Sequence, residues 1–223
     1  MNTLGATHFG PPKTALTFHS KPLPLPQPTQ LLIKVSYAEL NPVDIQKLSM
    51  KTTGTPVPAS RSPFVVGYGG SGTVISAGDT VPAAAEWKGR DVAFLCDPRY
   101  DGCFASHVAV DYRLVARIPP SGVSLAEAAS APVAGCTALE ALGKVGLPID
   151  IDVVAGPSSS FSGVGKTLLV VGGSGGVGSW VTLLAKARYP DLRVVATVSS
   201  RASEEWCVGR LGADYTVGHD EAE

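Results

Sequence analysis

Six residues in the last third of the sequence have the types and spacing of a phosphate-binding loop. They run Gly173-Ser174-Gly175-Gly176-Val177-Gly178 and fit the pattern G-x-G-x-x-G. In such a loop one glycine permits a tight turn, a second lets the backbone approach a pyrophosphate, and a third lets the next helix pack closely. We assign these roles to Gly173, Gly175 and Gly178, and expect residues 173–177 to hold the anion at a helix start. A glycine-rich turn without a ligand is the alternative.

A second polar group follows the next predicted strand, where dinucleotide-binding folds distinguish their cofactors. An Asp or Glu there would bind the ribose 2′-hydroxyl of NADH, but the sequence has Ser199, Ser200 and Arg201. Two hydroxyls and a guanidinium suit a 2′-phosphate, because charge-assisted hydrogen bonds form with it. We therefore expect NADPH rather than NADH. The alternative, in which Ser200 caps a helix and Arg201 is solvated, is compatible with the same role.

Both groups need a β-α-β-α-β arrangement to position them, and the sequence predicts one from residue 166 onward. Apolar, β-branched runs at 167–171 and 193–198 predict parallel strands, the first buried on both faces. Helical periodicity follows at 177–188 and 202–211, and residues 213–217 predict a third strand. The glycine motif thus lies between a strand and a helix, which is the context that makes it meaningful.

The first part of the chain predicts a β-rich domain. Most of the prolines lie before residue 133, and short β-rich runs separate them at 31–37, 72–76, 91–95, 104–110 and 115–118. A small-residue helical pattern begins after Ser124, the predicted N-cap, with Glu127 at capping-box spacing. We predict a β-rich domain at 1–125, a helical seam and loop at 126–165, and half a dinucleotide-binding domain at 166–223.

Composition excludes several classes of function. The chain is 44% hydrophobic and 17% charged, which is not the composition of a disordered protein. A net charge of −1 gives no reason to expect nucleic acid or an anionic membrane as a partner. No apolar run is long enough to predict a membrane span. The cytoplasm is the expected location, although residues 1–38 lack acids, as mitochondrial transit peptides do; they also lack Arg.

Five further segments resemble the medium-chain dehydrogenase/reductase superfamily and keep its order along the chain. They are AELNPVD at 38–44, GRDVA at 89–93, DGCFASHV at 101–108, the small-residue stretch at 128–138 and GAD at 212–214. The resemblance implies an α/β protein with an N-terminal β-rich GroES-like domain and a partial Rossmann domain.

Within this superfamily the chain resembles the zinc-independent quinone-oxidoreductase and enoyl-reductase branch, including reticulon-interacting oxidoreductases. Zinc-dependent relatives carry Cys where this chain has Asn41, and a His-Glu pair where it has Tyr68-Gly69. Neither replacement supplies the thiolate and imidazole of a catalytic zinc site. The resemblance therefore implies no zinc, and hydride transfer from NADPH to a small electrophilic acceptor, either a quinone or an α,β-unsaturated carbonyl.

The resemblance also implies roles for single residues. Asn41 is expected near the nicotinamide and the substrate, Thr137 in contact with the cofactor, and His219 near its adenosine end or in solvent. Tyr68 is either a hydrogen-bond donor or an aromatic wall. We expect Asp44 to be a structural hydrogen-bonding residue rather than a general acid.

Relatives in this family continue beyond the third Rossmann strand. The resemblance therefore implies that this chain is truncated at its C-terminus and lacks the strands through which the family commonly dimerises, so its oligomeric state is left open. The first Rossmann strand is expected to expose an unpaired edge. The alternative to a reductase is a catalytically silent nucleotide-binding or interaction protein.

Overall fold

The chain divides into two units, residues 1–133 and residues 134–223. The first unit consists mainly of short strands separated by prolines and glycines. The computed structural model describes residues 1–49, 51, 54–147 and 163–218. The strands of the first unit are β1 (Asn2–Ala6), β2 (Leu16–Ser20), β3 (Gln30–Ala38), β4 (Phe64–Val65), β5 (Gly69–Ala77), β6 (Asp91–Leu95), β7 (His107–Asp111) and β8 (Val115–Arg117). Its helices are α1 (Pro12–Ala15), α2 (Pro42–Leu48), α3 (Ala84–Trp87) and α4 (Leu125–Ala129).

These strands form two antiparallel sheets. One has the order β7-β3-β5-β6-β8 and the other the order β2-β1-β4. Leu31 and Ile33 on β3 and Val92 and Phe94 on β6 alternate along their strands and are buried in one core, as the two-residue period of a strand requires. The second sheet has no counterpart in the sequence prediction, because β1 and β2 lack a β-branched run and β2 is half exposed.

The second unit is a parallel sheet with helices between its strands. Helix α5 (Pro132–Lys144) starts at the end of the first unit and continues into the second. It is followed by β9 (Thr167–Val170), α6 (Gly176–Arg188), β10 (Arg193–Val198), α7 (Arg201–Gly209) and β11 (Tyr215–Gly218). The sheet order is β11-β10-β9 and both pairings are parallel. The predicted β-α-β-α-β arrangement is confirmed.

Strand β9 is less buried than the sequence predicts. Leu169 is 58% exposed, so the expectation of a strand buried on both faces is wrong. Among the described residues β9 pairs with β10 alone. An apolar groove of about 350 Å³, lined by residues of α5, β9 and α6, lies beside it.

Two further expectations of the sequence analysis concern the domain division and the absence of a membrane span. The three-part division at 125 and 165 stays a prediction, and most of its loop lies at 148–162, outside the described residues. Within the described ranges, no helix has both the length and the apolar character that a bilayer crossing requires.

Asp214 connects three elements of the second unit. Its Oδ2 accepts hydrogen bonds from Val194 N at 2.6 Å and from Lys186 Nζ at 3.0 Å, and Lys186 Nζ also donates to Leu192 O at 3.1 Å. Burial tends to raise the pKa of Asp214, but the Val194 N–H and the Lys186 ammonium outweigh it, and the pKa is lowered overall. The carboxylate therefore stabilises the unit in its ionised form.

We expect Asp214→Ala to reduce the free energy of unfolding by about 1–2 kcal/mol at neutral pH, since it removes a charge-assisted acceptor. Because the folded-state pKa lies below the unfolded value, this contribution is present above the unfolded pKa of about 3.9 and disappears as the pH falls through the folded value. Urea unfolding of the wild type and the variant at neutral and acid pH measures it. Asp191→Asn, in an exposed turn, is the control; a difference that persists in acid would contradict the prediction.

Candidate functional site

The glycine motif begins with a tight turn after β9. Gly175 N donates to Gly172 O at 3.0 Å, so Gly173 and Ser174 are the central residues of this turn. Gly172 has the left-handed φ of +70°, and its N–H donates to Thr197 Oγ1 at 2.8 Å. A Cβ on Gly173 would lie 2.5 Å from the Cβ of Ala196 on β10. Gly173 thus lies within the turn, and it also lets the loop lie against β10.

The other two glycines leave the start of α6 open. A Cβ on Gly178 would collide with Gly172 O, so this glycine allows the helix to pack against the turn. Gly175 is the N-cap of α6 and supplies no side-chain cap; the nearest atom to an added Cβ there is Gly172 O at 3.2 Å. Within the described residues, the N–H groups of Gly176 and Val177 have no acceptor. Unpaired N–H groups at the positive end of a helix dipole can hold an anion.

The residues after β10 begin beside this loop. Thr197 O accepts from Gly173 N at 3.1 Å, so Ser199, two residues later, lies at the same edge of the sheet. Ser200 is the N-cap of α7, and its Oγ accepts from Ser203 N at 3.2 Å. Capping is thus an observed role of Ser200.

Arg201 is the first residue of α7 and is open to solvent. Its side chain is 90% exposed, and its Nε donates to Glu205 Oε1 at 3.2 Å. An exposed ion pair of this kind contributes little to stability. The guanidinium is therefore available to an incoming anion at little cost.

The structure does not test two further candidate cofactor-binding residues of the sequence analysis. Thr137 lies in α5 with an exposed side chain. His219 lies outside the described residues. Their cofactor-binding roles stay predictions.

In the first unit, a buried carboxylate joins the segments that carry Asn41 and Tyr68. Asp44, on α2, accepts from Asn41 N at 2.8 Å through Oδ2 and from Gly67 N at 3.1 Å through Oδ1. Asp44 is 3% exposed. Both of its oxygens are used by main-chain donors, which is the structural role that the sequence analysis expects.

Asn41 and Tyr68 each have a buried polar atom without a hydrogen-bond partner. These atoms are Asn41 Nδ2 and the Tyr68 hydroxyl. Tyr68 is 7% exposed. Burial, followed by the charge of Asp44, raises the pKa of Tyr68 to about 12. The phenol therefore stays protonated at neutral pH and can donate.

Two thiols and a second acid lie close to this pair. Cys103 Sγ donates to Gly69 O at 3.1 Å, and its hydrogen bond with Cys96, followed by burial, raises the pKa of the Cys96 thiol. Burial also raises the pKa of Glu39, which the hydrogen bond from Val133 N to Glu39 Oε1 at 2.8 Å opposes. Glu39 has no role in the sequence analysis, although it lies within the AELNPVD segment. A Cβ added to Gly69 would collide with Glu39 Oε1, and the sequence does not show that these two residues meet across the sheet.

The side chains of Asn41 and Tyr68 do not offer the ligands that a catalytic zinc prefers. Asn41 and Tyr68 supply an amide and a protonated phenol, and zinc prefers thiolate, imidazole and carboxylate. Over residues 1–49, 51, 54–147 and 163–218, no three His, Cys, Asp or Glu side chains converge as metal ligands. The expectation of no zinc stays a prediction.

Residues 27–120 match the family described as the alcohol dehydrogenase GroES-like domain. The chain is 34% identical over 199 residues to a zinc-type alcohol dehydrogenase-like protein of Staphylococcus aureus, covering 89% of this chain and 53% of the relative. It superimposes with a TM-score of 0.79 on the quinone oxidoreductase of Coxiella burnetii, at 28% identity, over 100% of this chain and 63% of that one. The chain is thus similar to members of the medium-chain dehydrogenase/reductase superfamily over about half of their length.

The chain is also 37% identical to the 2-methylene-furan-3-one reductase of Solanum lycopersicum, covering 85% of this chain and 45% of that protein. The chain thus spans about half the length of the curated relatives it matches. The predicted fold, a GroES-like domain joined to half of a Rossmann domain, is confirmed.

Gly178→Ala and Gly176→Ala test the packing of the glycine motif as a matched pair. A Cβ at position 178 collides with Gly172 O, whereas at position 176 it lies 3.6 Å from Ala134 Cβ, an ordinary contact. We expect Gly178→Ala to lower the melting temperature by several degrees, and Gly176→Ala to leave it unchanged or raise it, because Ala favours a helix over Gly. Equal effects would show that the two glycines are equivalent.

Proposed function

We propose that this chain binds NADPH and takes part in hydride transfer to a quinone or an α,β-unsaturated carbonyl without zinc. The observation that carries the proposal is the pair of buried, unpartnered donors, Asn41 Nδ2 and the Tyr68 hydroxyl. A buried polar group without a partner costs about 1–3 kcal/mol. Such groups are rare in folded proteins, and two of them in segments joined by one carboxylate favour a ligand that accepts from both.

A carbonyl oxygen meets this requirement. It has two lone pairs and no proton to donate, so it can accept a hydrogen bond from an amide or a phenol. Both donors withdraw electron density from the carbonyl, which makes a conjugated carbon or quinone ring a better hydride acceptor. The names of relatives support this substrate class: one is an NADPH-dependent alkenal/one oxidoreductase of Arabidopsis thaliana, 35% identical.

The second unit supplies the features that a dinucleotide phosphate needs. The open N-terminus of α6 suits the pyrophosphate, and Ser199 with the exposed Arg201 suits a 2′-phosphate. When bound, the nicotinamide supplies the hydride. A mycobacterial relative of 28% identity has been solved in complex with NADPH, which supports this choice of cofactor.

Arg201→Ala should weaken NADPH binding about 10-fold and leave NADH binding unchanged, because it removes one charge-assisted contact to the phosphate that distinguishes the two. Calorimetric titration of both nucleotides measures the change. Arg210→Ala removes another exposed cation, at the opposite end of α7, and is the matched control. Equal loss in both variants would indicate non-specific attraction, and no nucleotide binding by a folded wild type would overturn the cofactor proposal.

Tyr68→Phe should lower the rate of acceptor reduction about 10- to 100-fold, as expected for loss of one donor to developing negative charge. The melting temperature should stay the same or rise, since the variant removes an unsatisfied buried hydroxyl. Steady-state rates with a quinone and an enone, alongside thermal unfolding, test both expectations. Tyr100→Phe, at a 45% exposed tyrosine, is the control.

The outcomes separate the candidate roles of this chain. An unchanged rate in Tyr68→Phe would make Tyr68 an aromatic wall rather than a donor. NADPH binding with no turnover by the wild type would favour the alternative of a catalytically silent nucleotide-binding protein.

A further inference from the structure

A polar cavity of the first unit lies apart from the candidate donors. Its volume is about 390 Å³, and it is bordered by the start of β3, the residues that follow β6, and the end of β7 with the turn after it. Neither Asn41 nor Tyr68, both of which the structure describes, lines it. Its lining includes the side chains of Gln30, Arg99 and Arg113. The hydrogen-bonding groups that these three side chains leave unused indicate what the cavity can bind.

Gln30 contributes a buried amide with one unused end. It is the first residue of β3 and is 7% exposed. Its Oε1 accepts from Gln27 N at 2.9 Å, which fixes the orientation of the amide. Among the described residues, no acceptor binds its Nε2. Because buried polar groups are almost always paired, an amide nitrogen of this kind beside a cavity favours a ligand with an acceptor.

Arg99 and Arg113 are held in the same way, each by an aspartate two residues earlier. Arg113 donates from Nε to Asp111 Oδ1 and from Nη2 to Asp111 Oδ2, both at 2.8 Å. Arg99 donates from Nε and Nη2 to Asp97 Oδ2, at 3.0 and 2.5 Å. The main-chain N–H of each arginine donates to the same carboxylate as its side chain. Each aspartate thus fixes the plane of one guanidinium and occupies one of its edges.

The second edge of each guanidinium has the geometry of an oxyanion receptor. A guanidinium has five N–H donors, and within the part of the chain that the structure describes, no acceptor binds Nη1 of Arg99 or Arg113. Two parallel N–H groups match two oxygens of a carboxylate or a phosphate. Both side chains are open to a ligand, at 80% and 70% exposure. Since the aspartates already hold them, they lose little conformational freedom on binding.

The carboxylates at this cavity are already paired. Hydrogen bonds from the two arginines hold the pKa values of Asp97 and Asp111 below their ordinary range, so both acids are ionised at neutral pH. The third acid of the lining, Asp101, forms an ion pair with Lys21. Positive and negative charges therefore balance here, and the unused groups are mainly N–H donors. This pattern favours a ligand that accepts hydrogen bonds over a cation or an amine.

We propose that this cavity binds a small molecule through an oxyanion group, a carboxylate or a phosphate. The group accepts from Gln30 Nε2 and from the free edges of Arg99 and Arg113. The proposal does not rest on the proposed reductase function, because the cavity shares no residue with the candidate donor pair or with the glycine motif.

Titration of the full chain with inorganic phosphate and with succinate, at constant ionic strength, tests the binding. Calorimetry should show saturable binding of at least one probe, with a Kd of about 1 mM or below. In nuclear magnetic resonance spectra, the Gln30 side-chain amide should shift along the same titration, while that of Gln46 on α2 stays in place. Binding of phosphate alone, or of succinate alone, identifies the group. No saturable binding of either probe up to about 10 mM would overturn the proposal.

Charge-neutral double variants test the arginines. Asp111→Asn with Arg113→Gln removes one guanidinium and leaves the net charge unchanged, as does the corresponding exchange at positions 97 and 99. Each should weaken binding about 10-fold, because one charge-assisted contact is lost. Glu86→Gln with Arg117→Gln is the matched control: it removes an exposed ion pair that does not line the cavity. Equal losses in all three double variants would mean that the arginines of the cavity are not specific, which overturns the proposal.

Gln30→Glu tests the amide. The variant keeps an acceptor for Gln27 N but replaces the free donor with an acceptor, so binding should weaken about 10-fold or more. Gln46→Glu adds the same charge at an exposed position of the same unit and should leave binding unchanged. Thermal unfolding shows whether each variant is folded; if Gln30→Glu is not, the double variants decide. Unchanged binding by a folded Gln30→Glu would overturn the proposal.

Discussion

The first unit depends on the burial of one carboxylate, Asp44. Its two oxygens bind the N–H groups of Asn41 and Gly67, which lie in segments far apart in the sequence. Burial of an acid is unfavourable unless its oxygens receive hydrogen bonds, and here two main-chain donors meet that need. Burial still raises the pKa of Asp44, because it outweighs both bonds. The unfavourable burial of Asp44 occurs where its hydrogen bonds hold the segments that carry two candidate functional residues, Asn41 and Tyr68.

Close approach of main-chain atoms is the common constraint in both units. In the second unit, Gly178 lets α6 reach the turn at Gly172, and Gly173 lets that turn lie against β10. In the first unit, Gly70 and Gly72 let β5 approach β3. Each glycine serves a specific neighbour, so the high glycine content of the chain has several separate structural causes.

The second unit is predictable from the sequence because its signals are local. Apolar runs, helical periodicity and a glycine motif each occupy consecutive residues, and their order dictates the parallel sheet. The capping box of Ser124 and Glu127 is also local, and the structure shows it. Strands β1 and β2 were not predicted, because neither segment has the run of β-branched residues that is typical of a strand, and only their pairing with each other shows them. The burial of β9 was overestimated because composition does not reveal whether a neighbour covers a strand.

The candidate site is predictable only in part, for the same physical reason. Asn41 and Tyr68 are recognised from the segments around them, and the structure adds that their donors are buried without partners. The left-handed backbone of Gly172 is not predicted, because spacing alone does not show which of two adjacent glycines adopts it. Glu39 went unnoticed because its partners, Gly69 and Val133, are distant in sequence and meet it only across a sheet and at a helix start.

The contact between Glu39 and Gly69 also makes these two positions depend on each other as the sequence changes over generations. A larger residue at position 69 displaces the Glu39 carboxylate. The same substitution at position 69 therefore has a different effect in a sequence that carries a smaller residue at position 39.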